Sequence, residues 1–75
     1  MVTEAVKFVD ARGLKCPLPV LRLRREANGF TGSVKLVTDD PAALVDVPAF
    51  CAERGWGVAA ISHEHGVVIW EVRVP

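Results

Sequence analysis

The sequence predicts an α/β (α+β) fold, a two-layer sandwich in the order β-α-β-α-β-β, with a four-stranded mixed sheet and two helices on one face. Three observations predict it. Segments rich in β-branched residues alternate with segments of helical spacing, the pattern of strands interleaved with helices. Proline and acidic residues stand where helices would start, and Asn28-Gly29 and Gly55 stand where they would stop. The chain has 75 residues, 51% of them apolar, which is enough for one core and too few for two, so residues 1–75 are read as a single domain.

Residues 5–9, Ala-Val-Lys-Phe-Val, form the first expected strand, ending at Asp10. The loop Ala11 to Lys15 leads into Cys16-Pro17-Leu18-Pro19, which opens a helix from Pro17 to about Ala27 with Leu18, Leu21 and Ala27 at helical spacing. Prolines in a first turn cost little, because those N–H groups lack intrahelical acceptors anyway. Asn28-Gly29 ends the helix. Residues 33–38 alternate as a second strand with Val34 and Leu36 on one face. Pro48 is expected to break a helix running from 41 to 54, giving a short turn over Pro41 to Val45 and then a helix capped by Asp46. Val47, Phe50 and Cys51 form its buried stripe, with Leu44 before it, and Gly55 closes it. Residues 56–63 and 67–74 are two β-rich runs joined by Glu64-His65-Gly66, a hairpin signal.

Composition removes several classes of function. The longest apolar runs are far short of the roughly 20 residues a membrane span needs. Met1 to Lys7 lacks the basic and apolar regions of an export signal, so a cytoplasmic location is expected. Nine Lys and Arg balance nine Asp and Glu, which gives no general attraction for nucleic acid or anionic membrane. The balance is uneven along the chain. Residues 1–38 carry seven basic and three acidic side chains, and residues 39–75 carry two basic and six acidic, so a localised basic surface around Arg12, Lys15, Arg22, Arg24 and Arg25 is expected.

The residue most suited to chemistry is Cys16. A thiol at a helix N-terminus meets unpaired N–H groups and partial positive charge, both of which favour thiolate. Arg12 and Lys15 would act in the same direction. Pro17 and Pro19 have no N–H to offer, so the thiolate is expected to be held by charge more than by hydrogen bonds and to stay nucleophilic. Cys51, on the apolar stripe, reads as core filler. A zinc site from Cys16, Cys51, His63 and His65 has weak support, since the spacing contains no C-x-x-C and the histidines read as solvated turn residues. Cysteine hydrolase chemistry lacks a base placed by the sequence, and thioredoxin chemistry needs a second thiol at position 19, which is proline. Trp70 alternates with Val68, Val72 and Val74 and reads as core, while Trp56 falls with the third strand. Arg22 and Arg25, three apart on one helix face, are a candidate docking surface for a partner.

The run Asp10-Ala11-Arg12-Gly13-Leu14-Lys15-Cys16-Pro17-Leu18-Pro19-Val20-Leu21, with Asp39-Asp40-Pro41-Ala42 and Asp46-Val47-Pro48-Ala49-Phe50-Cys51 after it, resembles the TusA/SirA-like sulfur carrier family over essentially the whole chain. The resemblance implies a carrier, more than a self-sufficient enzyme, that accepts sulfane sulfur as a persulfide on Cys16. It implies a donor such as a cysteine desulfurase or rhodanese-like protein and a downstream relay protein as acceptor. Routes of this kind include tRNA thiolation, molybdenum cofactor formation and sulfur metabolism. No cofactor is expected beyond the covalent sulfur itself, and a monomer without direct nucleic acid or membrane contact is the simplest carrier. The chain departs from some members at Leu18 and Lys15, and its first helix is about two residues shorter. Two other readings stand beside this one. The same sandwich could serve as a non-catalytic regulatory or RNA-contacting module, or as a redox protein pairing Cys16 with Cys51.

Overall fold

Alternation along the strands sets the architecture. In the computed structural model, which describes residues 5–75, the order is β1 (Val6–Asp10), α1 (Leu18–Ala27), β2 (Gly32–Thr38), α2 (Ala43–Arg54), β3 (Gly57–Glu64) and β4 (Val67–Val74). Of the N-terminal segment read above for an export signal, residues 1–4 lie outside the described residues. The sheet order is β1-β2-β4-β3. β1 runs parallel to β2, and β4 pairs antiparallel with both β2 and β3, so the sheet is mixed, as expected.

Val34 and Leu36 of β2 and Val68, Trp70, Val72 and Val74 of β4 turn to one face, where they meet Leu23 and Ala27 of α1 and Val47 and Cys51 of α2 in a single core. Both helices therefore cover that face. Burying these side chains is the main favourable term, about 1.5–3 kcal/mol for each large aliphatic one. The core includes a polar pair. The Trp70 Nε1–H donates to the buried Thr38 Oγ1 at 3.0 Å, which satisfies both groups. The opposite sheet face stays open, and Phe8 on it is 78% exposed.

Four expectations for the elements need correction. α2 is continuous from Ala43 to Arg54 with Pro48 inside it and Asp46 in its first turn instead of at its cap. The carbonyl that Pro48 cannot serve belongs to Leu44, which is 44% exposed and outside the buried stripe, so solvent can satisfy it. The stripe of Ala43, Val47 and Cys51 at spacing four supplies the packing that offsets the lost bond. In α1 the buried residues are Pro19, Leu23 and Ala27, and Leu18 and Leu21 are about half exposed. Trp56 precedes β3 and packs edge-on against Phe50 at 5.5 Å. The third and fourth strands are joined by a two-residue turn in which His65 and Gly66 take φ of 52° and 78°, values that suit the twist of a tight hairpin and favour glycine at the second place.

Candidate functional site

Parallel pairing of β1 with β2 brings the loops that follow both strands to one edge of the sheet. The Ala11 N–H donates to the Val37 carbonyl at 2.8 Å, continuing the ladder one step past β1. Beyond it the cysteine loop is tied to the two acids that follow β2. The Gly13 N–H donates to Asp39 Oδ1 at 2.9 Å, and the Cys16 N–H donates to Asp40 Oδ2 at 2.8 Å. Backbone donors that a short loop would otherwise leave to water are thus fixed by charged acceptors, the stronger class of hydrogen bond.

Cys16 is exposed and precedes the helix instead of capping it. Pro17 occupies the cap, with no side-chain cap bond, and the Cys16-Pro17 peptide is cis. The Leu18 N–H, the one donor between the two prolines, donates to the Lys15 carbonyl at 2.7 Å. The thiol opens onto a shallow groove of about 280 Å³ between the two helices, lined by Pro17 and Val20 on one side and by Asp46, Ala49, Phe50 and Glu53 of α2 on the other. Its floor is apolar and its rim acidic.

That rim reverses the expected electrostatics. Hydrogen bonding to the Asp46 carboxylate, then desolvation, then the charges of Asp46 and Asp40 push the Cys16 thiol above its ordinary range, because each disfavours the anion. Arg12 does not compensate. Its guanidinium forks onto Asp10, Nε to Oδ1 at 3.0 Å and Nη2 to Oδ2 at 2.9 Å, and holds that carboxyl at about 2. Lys15 stays exposed. These surroundings favour the Cys16 thiol over its anion, the opposite of the direction expected from charge. Cys51 is fully buried, and burial raises its pKa too.

The remaining candidates separate. Pro19 is buried in the first turn of α1. Arg22 reaches the Asp10 carbonyl at 3.4 Å, and Arg25 lines a cleft toward the far end of the helix. Asp40, which accepts from the Cys16 N–H, and Asp46, read from sequence as a helix cap, are the acids that act on the thiol. The parallel β1-β2 pairing is the signal that could have placed Asp40 there, since it brings the two loops together.

A family described as Sulfurtransferase TusA matches residues 7–74. A sulfur carrier protein TusA of Pseudomonas paraeruginosa is 31% identical over 68 residues, spanning 88% of this chain and 86% of that one. Another, from Pseudomonas syringae pv. syringae, is 33% identical over 67 residues, spanning 87% and 80%. In fold, the crystal structure of a SirA-like protein from Desulfitobacterium hafniense matches with a TM-score of 0.79 over 92% of this chain and 96% of that one, at 19% identity.

Proposed function

The chain belongs to the TusA sulfurtransferase family of sulfur carriers, and from that premise we propose that Cys16 takes up sulfane sulfur as a persulfide and passes it to an acceptor protein. One observation carries the assignment to this residue. Of the two free cysteines, Cys16 is exposed in an open groove with its backbone held by Asp40, and Cys51 is wholly enclosed by core.

The exchange is balanced without a redox partner. The Cys16 sulfur attacks the terminal sulfur of a donor persulfide, the donor S–S bond breaks, and its electron pair stays on the donor sulfur. The proton leaving Cys16, hydrogen-bonded to Asp46, returns to the system as the donor thiol forms. Delivery is the same reaction with the acceptor thiol attacking. Persulfides are more acidic than thiols, so loading with sulfur eases ionisation at a rim that disfavours the free thiolate.

A carrier must offer one atom to two proteins in turn, which a shallow groove allows and an enclosed pocket would prevent. The donor would be a cysteine desulfurase or rhodanese-like protein, the acceptor another relay protein, and the carrier itself a cytoplasmic monomer. Incubation with a desulfurase and cysteine should add one sulfur to the intact mass, removable by reductant. Cys16→Ala should abolish that gain and Cys51→Ala should keep it; equal loss in both overturns the assignment.

A further inference from the structure

The end of α1 remote from Cys16 carries a concentration of positive charge that the sulfur chemistry does not use. A cleft of about 700 Å³ opens there, with Leu21, Arg24, Arg25 and Asn28 of the first helix and its cap on one wall and Arg54 and Trp56 on the other. That volume lies within the usual range of small-molecule sites. Among the described residues, no acidic side chain lines the cleft. Among the described residues none of the three arginines has an ion-pair or hydrogen-bond partner, although Asp10 and Glu71 elsewhere hold Arg12 and Lys35.

Arg54 is nevertheless held in place. Its guanidinium lies 5.0 Å from the Phe50 ring centroid and 5.9 Å from that of Trp56, and those two rings pack edge-to-face. Contact with aromatic faces orients the fork before any ligand arrives, which reduces the entropy lost on binding. The two helix C-termini at this end contribute roughly half a negative charge each, so three guanidiniums leave about two net positive charges. Even with a carboxylate on Pro75 counted against it, the cleft stays positive.

We propose that this cleft binds a small ligand carrying two or more adjacent phosphate groups, such as a nucleoside di- or triphosphate. Guanidinium forks match phosphoryl oxygens two at a time, and one anionic group would leave most of the charge unmatched. The apolar side of Leu21 and the indole of Trp56 suit the non-phosphate part. The α1 residues that line it, from Leu21 to the cap Asn28, lie about 5 to 15 Å along the helix axis from Leu18, and its occupancy does not depend on the sulfur carrier assignment.

Titrations of the intact protein with ATP, pyrophosphate and inorganic phosphate, followed by amide chemical shifts, test this. ATP and pyrophosphate should each bind at least tenfold more tightly than phosphate, with shifts centred on residues 24–29 and 54–56 and little change at Cys16. Arg54→Gln and Arg24→Gln, both at exposed positions that leave the core intact, should each weaken ATP at least fivefold, and added salt should weaken it further. Equal affinity for phosphate and ATP, shifts centred elsewhere, or unchanged affinity in both variants would overturn the proposal. So would a short single-stranded RNA that binds there more tightly than ATP, because the site would then read a nucleic-acid backbone.

Discussion

Replacing Cys51 by serine separates a packing role from a chemical one. The side chain is completely buried in the α2 stripe with Val47 and Ala43. Removing the sulfur alone, as in Cys51→Ala, deletes a group about the size of a methylene and leaves a small void, for a cost of about 1–2 kcal/mol. Serine refills part of that void but buries a hydroxyl, which adds about 1–3 kcal/mol if it goes unpaired. A back-bond to the Val47 carbonyl one turn earlier brings the addition toward its lower end. Serine should therefore cost about 2–3 kcal/mol, more than alanine. For a domain of this size each kcal/mol moves Tm by roughly 4–8 °C, so thermal unfolding followed by circular dichroism should show drops of about 5–15 °C for alanine and about 10–20 °C for serine. Alkylation of Cys16 at low temperature, where both variants remain folded, should keep the parent rate. A serine variant as stable as the parent would mean that position 51 has a polar partner or access to water, and the division between the two cysteines would fail.

Three further outcomes follow from named contacts. Asp46→Asn removes a carboxylate that disfavours the Cys16 anion, so the midpoint of the alkylation rate against pH should move down and the rate at neutral pH should rise; an unchanged profile would remove Asp46 from the site. Asp10 should titrate near about 2 in a carboxyl NMR titration, and Arg12→Ala should return it toward the ordinary carboxylate range. Because that pKa is depressed on folding, any stability it contributes is present above the unfolded value and fades as pH falls toward 2. Trp70→Phe takes the indole donor from the buried Thr38 hydroxyl and should cost about 1–3 kcal/mol in denaturant unfolding, with part of the loss restored by adding Thr38→Val.

The sheet and its inward face were legible because strand periodicity reports burial directly: Val34, Leu36, Val68, Trp70 and Val72 alternate as required, and all are in the core. Cys16 was legible as an exposed thiol because its neighbours, Lys15 and Pro17, make an unfavourable core segment. Less legible was everything that depends on which elements face each other. The local run of Arg12 and Lys15 suggested positive potential, but Arg12 finds its own acid two residues back, and the groups that reach the thiol come from 24 and 30 residues along the chain. Pro48 fails to break α2 for a related reason. Its local cost is real, but Ala43, Val47 and Cys51 are anchored on both sides of it by tertiary packing.

The central claim is that one particular sulfur carries the cargo, and locating the added atom tests it most directly. The protein is loaded by a desulfurase and cysteine, trapped with an alkylating reagent and digested with trypsin, which releases Cys16 and Cys51 on different peptides, 16–22 and 36–54. Tandem mass spectrometry should place the alkylated persulfide on the Cys16 peptide alone, with Cys51 unmodified. Added sulfur on the Cys51 peptide, or a loaded protein in which Cys16 carries none, would contradict the account.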